Sequence, residues 1–174
     1  MVLTAVLIAL VSPPPSSSSW TAEKPAVRAA VLARHGSNTQ IDSILIKGPY
    51  ALVHGKGFHD GLKLANGKWT IVCDMSKAQV TAAALAQNCG FPIQVAQVVA
   101  ADEPVNLLAA QGNFTSAVAA EQRTLGSASS PPSDTERARM QELRILNQQM
   151  ATQQITRQQA IQQWSQAKFS WALP

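Results

Sequence analysis

Four side chains with metal-binding donor atoms lie close together near the middle of the chain: His54, His59, Cys73 and Met75. Imidazole, thiolate and thioether together form a donor set that suits copper(I). Their spacing, however, contains no close Cys-x-x-Cys or Met-x-x-Met pair. The alternative, which we favour, is a packed Met75, a buried or paired Cys73 and two exposed imidazoles, with no cofactor.

Cys73 and Cys89 are the only cysteines in the sequence. In an exported protein they would meet an oxidising compartment, so a disulfide between them is one hypothesis. A straight helix over residues 77–88 would rise roughly 18 Å at ~1.5 Å per residue, which carries Cys89 away from Cys73. A bridge therefore needs a shortened or tilted helix, and two buried free thiols are the alternative.

No catalytic or phosphate-binding motif occurs at its required spacing. The Gly-Lys-Gly stretch at 55–57 is too short for a phosphate loop, and no helix pattern follows it. Asp60 beside His59 is no evidence for a catalytic triad, because triads are recognised by geometry. The acidic pair at 102–103 precedes a proline and is predicted to be solvated at a helix end. We therefore expect a noncatalytic domain, with a small enzyme that no motif reveals as a third hypothesis.

Composition argues against nucleic acid as a partner. The chain of 174 residues carries a formal net charge of +4, and only 14% of its residues are charged. Its lysines and arginines are scattered, whereas nucleic-acid binding requires them to cluster beside stacking aromatic side chains. A mildly basic, solvated surface is the expectation.

Residues 1–24 have the composition of an export signal followed by a Pro/Ser-rich stretch. Residues 2–11 form an apolar run of the length of a signal-peptide core, which is too short to span a bilayer. No Lys or Arg precedes Lys24 in this sequence, so either the true start lies upstream or the signal is atypical. We expect an exported protein, periplasmic or secreted, without a transmembrane span in the mature chain. A frayed apolar N-terminus of a cytosolic protein is the alternative.

Short β-like runs between turn residues predict an antiparallel meander of about four strands. The Asn66-Gly67 pair is the strongest hairpin signal, because a type I′ turn requires positive φ at both central residues. This turn sets Leu64 opposite Trp69. Alternation along the last strand places four residues on one covered face: Trp69, Ile71, Cys73 and Met75. The strands are predicted at residues 41–47, 50–55, 59–65 and 68–75.

Helical periodicity on both sides of the meander predicts helices that cover the sheet, which makes the fold class α+β. These helices are predicted at 25–34, 77–88, 92–101, 105–111 and 114–125. We divide the chain into an α+β domain at 25–125, a linker at 126–133 and a helical hairpin at 134–174. The apolar seam of the hairpin is too small to be stable alone, so we expect the hairpin to mediate contacts, with a protein as the partner.

Two short motifs stand out within residues 25–101. They are the hairpin Asn66-Gly67-Lys68-Trp69 and the Gly90-Phe91-Pro92 that follows the next helix. With the order of the elements around them, they resemble a family of small exported bacterial domains. Some members of that family are associated with copper uptake, so the resemblance implies a periplasmic copper-handling accessory protein as an alternative function. It transfers no site residues to this chain.

Overall fold

The computed structural model describes residues 20–128 and 131–166. Most of the predicted export segment and the last residues of the predicted hairpin lie outside this part of the chain. The predicted α+β class is confirmed, with a four-stranded meander and flanking helices. In chain order the elements are α1 (Trp20–His35), β1 (Ile41–Lys47), β2 (Tyr50–Gly55), β3 (Phe58–Ala65), β4 (Lys68–Asp74), α2 (Ala82–Cys89), α3 (Ile93–Ala110), α4 (Phe114–Ser127), α5 (Asp134–Ala151) and α6 (Arg157–Gln166).

The sheet is antiparallel throughout, with strand order β1-β2-β3-β4. Asn66 and Gly67 have φ values of 52° and 72°, as the type I′ turn between β3 and β4 requires. Leu64 pairs with Trp69 across this turn, so the predicted register is confirmed.

A β-bulge interrupts β4 and changes which face its residues occupy. Leu62 pairs with Ile71, but Gly61 pairs with Cys73, so Val72 is the extra residue. Trp69 and Ile71 therefore share one face of the sheet, while Cys73 shares the opposite face with Gly61. The prediction of a single face for all four alternating residues was wrong, because it assumed an uninterrupted ladder.

Helices cover both faces of the sheet. On one face α1 buries Val27 and Val31, and its Glu23 accepts a hydrogen bond from Nε1 of Trp69 at 2.7 Å. Trp69 is buried, as predicted. On the other face Asn106 of α3 donates to the hydroxyl of Ser43 at 2.6 Å. Burial on both sides explains the nearly continuous apolar runs of β1 and β2.

Several helices differ from their predicted bounds: α1 begins at Trp20 and not at residue 25, and the helices after the sheet differ for identifiable reasons. The predicted helix at 77–88 begins only at Ala82, because the Thr81 side chain caps it by accepting from the Ala84 N–H. The two helices predicted at 92–101 and 105–111 are one continuous helix, α3, which runs through Pro104. Tertiary contacts on both sides of Pro104 offset the lost backbone hydrogen bond.

The helical hairpin α5–α6 packs against α3 and α4. The helix α5 starts with a capping box between Ser133 and Glu136, close to the predicted start. A second hydrophobic cluster joins residues from both sides of the predicted linker: Val105, Ala109, Phe114, Ala117, Ala120, Leu143, Leu146, Ala160 and Trp164. In the part of the chain that the structure describes, this cluster and the cluster at the sheet therefore meet within α3. Among the described helices, none is both long and apolar enough to cross a bilayer.

Candidate metal centre

The two sulfur atoms of the predicted copper(I) set are already engaged. Cys73 forms a disulfide with Cys89, and their Cα atoms are 5.0 Å apart. The late start of α2 removes the geometric obstacle to this pairing, because the helix is shorter than the predicted one. Met75 is fully buried, and its Sδ accepts from Nδ2 of Asn88 at 3.8 Å. The thiolate that copper(I) binding would use is therefore absent, and the four-residue copper(I) set, which was the alternative hypothesis, is not formed.

The two histidines of the predicted set do come together. His54 on β2 and His59 on β3 are directly paired in the ladder, and their ring centroids are 4.5 Å apart. A tight turn at Lys56 and Gly57 joins the strands, so the hairpin itself fixes this juxtaposition. The side chain of His59 is only 12% exposed and that of His54 is 30% exposed. The prediction of two exposed imidazoles was therefore wrong, since α3 covers this face.

Glu103 on α3 completes the cluster. Its Oε1 lies 3.4 Å from Nε2 of His59 and 3.9 Å from Nδ1 of His54. The three donor atoms all lie within 4.8 Å of one another. Glu103 was predicted to be a solvated residue at a helix end, and this was wrong. Glu103 lies on the face of α3 that packs against the sheet, and α3 continues through Pro104, for which the sequence carries no local signal.

One nitrogen of each imidazole in this cluster is buried without a hydrogen bond to any described residue. Within the described part of the chain, Nδ1 of His54 and Nε2 of His59 have no hydrogen-bond partner. Burial lowers the pKa of His54 and the neighbouring His59 lowers it further, against the opposing effects of Glu103 and Asp42. A lowered pKa keeps the imidazole neutral at neutral pH, which is the form that binds metal ions.

A small pocket opens beside the two imidazoles. Its volume is about 210 Å³, and it is lined by His54, Gly55, Gly57, Phe58, His59 and Ser76. Gly57 has a φ of 86°, which favours glycine in this turn. A side chain at Gly55 would collide with the ring of Phe58. The pocket wall on this side is therefore largely backbone.

Asp102, the residue before Glu103, fixes the position of α3 through ion pairs to neighbouring elements. Asp102 is buried and lies 2.6 Å from Nζ of Lys47 and 2.7 Å from Nη1 of Arg139. Arg139 also contacts Glu121 at 2.6 Å, and burial raises the pKa of Glu121. Two cations and two carboxylates thus form a buried network that joins β1, α3, α4 and α5. The predicted solvation of Asp102 was wrong for the same reason as that of Glu103.

The donor set of two imidazole nitrogens and one carboxylate oxygen is chemically specific. Zinc sites with an open position use the same combination, and copper(II) and iron(II) also accept it. No family model, curated protein or solved structure matches this chain. The resemblance to exported, copper-associated domains therefore stays a prediction from its motifs.

Proposed function

We propose that this chain is a noncatalytic binding domain that holds a divalent transition-metal ion, Zn²⁺ or Cu²⁺, between His54, His59 and Glu103. The observation that carries the proposal is the convergence of three donor atoms from β2, β3 and α3 within 4.8 Å. Tetrahedral zinc ligands with bonds of ~2.0–2.2 Å lie roughly 3.3–3.6 Å apart. Nε2 of His59 and Oε1 of Glu103 are already 3.4 Å apart, and no donor separation exceeds 4.8 Å, so side-chain movements of about 1 Å bring the donors to that spacing.

The oxidation state of the metal follows from the donors. Without a thiolate, the site offers two borderline nitrogen donors and one hard oxygen donor, which favour divalent ions over copper(I). For a site of this kind Cu²⁺ binds more tightly than Zn²⁺. The copper-handling alternative is therefore retained as a proposal, with Cu²⁺ as its ion and without Cys73 or Met75 as ligands.

Export is part of the proposal and places the protein in the periplasm or outside the cell. The apolar run at 2–11 and the Cys73–Cys89 disulfide both support it, since disulfides persist in oxidising compartments. Mass spectrometry of the mature chain should find a new N-terminus between residues 16 and 23. Intact Met1 on protein from the cytoplasm would contradict export.

A protein partner for the α5–α6 hairpin is a second proposal with its own support. Ile145 is 39% exposed on α5, in a groove that Leu125 and Met140 also line. Arg137 and Arg144 flank this groove, so an acidic, apolar surface would fit it. Ile145→Glu should abolish the complex between this groove and its protein partner without lowering the melting temperature of the chain. Glu142→Gln on the same helix is the control.

Metal titration of the full chain tests the main proposal. Calorimetry with Zn²⁺ and with Cu²⁺ should each give one site per chain in metal-free protein. His59→Gln and Glu103→Gln should each weaken binding at least ~10-fold, because each removes one of three ligands. Glu142→Gln is a matched control outside the cluster and should bind like the wild type. No stoichiometric binding, or equal binding by Glu103→Gln, would overturn the proposal.

A further inference from the structure

The proposed metal centre has fewer protein ligands than a metal ion needs. Zinc in structural sites takes four protein ligands, whereas zinc with three protein ligands keeps one position for water or another molecule. Among the described histidine, cysteine and acidic side chains, the cluster holds three: His54, His59 and Glu103. Both cysteines are committed to the disulfide and cannot supply a fourth.

The pocket beside the imidazoles marks the side on which this position opens. His54 and His59 line it, but Glu103 does not, so the carboxylate approaches the metal from the α3 side and the pocket lies on another. Its volume of about 210 Å³ corresponds to roughly seven water molecules at ~30 Å³ each. An anion of a few atoms therefore fits in it beside the metal.

Charge decides which small molecules this pocket favours. A divalent ion with the Glu103 carboxylate and two neutral imidazoles carries a net charge of about +1. No acidic side chain is among the described residues that line the pocket. The Asp74 carboxylate, which is not part of this lining, accepts hydrogen bonds from the N–H of Ser76 at 2.8 Å and from the Ser76 side chain.

From this arrangement we infer that the bound metal keeps one coordination position open toward the pocket of Gly55, Gly57, Phe58 and Ser76, and that it binds a small anion there. The inference rests on the proposed metal-binding function. It assigns an exogenous ligand class, namely inorganic anions or short carboxylates, to a site that otherwise would only store a metal ion. The anion bonds directly to the metal and replaces water, and no other bond is made or broken.

Cobalt substitution tests the open position directly. Co²⁺ replaces Zn²⁺ at such sites, and its visible spectrum reports the coordination number and the ligands. Azide added to the Co²⁺-loaded full chain should change this spectrum saturably, with one azide per metal. Formate or acetate should compete with the azide.

A variant in the pocket distinguishes anion binding at the open position from binding of the metal itself. Ser76→Leu should narrow the pocket and weaken azide binding at least 10-fold, with Co²⁺ affinity unchanged. Ser127→Leu, at an exposed position at the end of α4, is the matched control and should behave like the wild type.

Three outcomes would count against the inference, and they are distinguishable. A spectrum that no anion changes would show a closed coordination shell and overturn it, while the metal-binding proposal would stand. Wild-type azide affinity in Ser76→Leu would overturn the placement of the open position in this pocket. Failure of the full chain to bind Co²⁺ and Zn²⁺ would overturn the proposed function itself.

Discussion

Asp102 on α3 and Arg139 on α5 form a buried ion pair in which Oδ1 and Nη1 are 2.7 Å apart. The next residue, Glu103, supplies the carboxylate of the candidate metal centre. The same turn of α3 is thus held by the hairpin on one side and faces the β2–β3 histidines on the other. The position of Glu103 depends on this anchoring, so disturbing Arg139 has consequences for stability and for the site.

We expect Arg139→Met to destabilise the protein by about 3–5 kcal/mol, because it leaves two buried carboxylates, Asp102 and Glu121, without their guanidinium. Chemical denaturation monitored by circular dichroism measures this loss. Adding Glu121→Met should restore part of the stability. The control Arg137→Met lies at an exposed position and should change the free energy of unfolding by less than ~1 kcal/mol. Equal effects of the two single variants would contradict a buried network.

Trp69→Ala should cost about 3–5 kcal/mol, because it empties a large buried site between the sheet and α1. Trp69→Phe keeps most of the packing and loses the hydrogen bond from Nε1 to Glu23, so its cost should be about 1 kcal/mol. Thermal unfolding of both variants separates the contribution of packing to stability from that of the hydrogen bond. A Trp69→Ala protein as stable as the wild type would contradict the described core.

Gly61→Ala should destabilise the protein by about 1–3 kcal/mol, since its new Cβ would collide with Sγ of Cys73. It would also lie 3.0 Å from Sγ of Cys89. The double variant Cys73→Ala/Cys89→Ala should itself lose about 3 kcal/mol, and Gly61→Ala should cost less in that background. Gly126→Ala has open space around it and is the control. Strictly additive effects would contradict contact between Gly61 and the disulfide.

The metal-free protein should lose stability in mild acid through His54. Its pKa is lower in the folded chain, so the unfolded chain takes up the proton first as the pH falls. The free energy of unfolding should therefore decrease as the pH drops below about 6.5, and this decrease should level off below the folded-state pKa. His54→Gln should flatten this part of the curve relative to the wild type. If the free energy of unfolding of His54→Gln fell with pH as steeply as that of the wild type, the loss of stability would not come from His54.

Removing residues 129–174 should unfold the second half of α3 together with α4. The truncated chain would expose Phe114 and leave Asp102 and Glu121 without Arg139. Circular dichroism should show a loss of helix greater than the deleted helices account for. A fully folded truncated domain would instead support a division of the chain at residues 126–133.

The sheet could be predicted from the sequence because its information is local. The Asn66-Gly67 turn and the alternation around it set the pairing of Leu64 with Trp69. The bulge at Val72 was not predictable in this way. One unpaired residue leaves the alternation of apolar residues in the sequence intact and changes only the face of the sheet on which the following residues lie. Sequence pattern alone therefore assigned Cys73 to the wrong side of the sheet.

Only two of the three residues of the candidate site could be predicted from the sequence. His54 and His59 follow from the hairpin, whereas Glu103 reaches them because α3 packs on this face of the sheet and does not end at Pro104. Proline usually ends a helix, and what outweighs that tendency is packing against residues distant in sequence, such as Ser43 and Lys47. Contacts of this range have no signature in a single sequence.

The continuity of α3 also determines how the protein unfolds. Ala96 and Val99 belong to the cluster under the sheet, and Val105 and Ala109 belong to the cluster of the hairpin. If either cluster melts, the other loses part of the surface on which it packs, so heating the full chain should produce a single calorimetric transition. The backbone amides of α3 should then be the last to exchange with deuterated solvent, because they are released only by global unfolding.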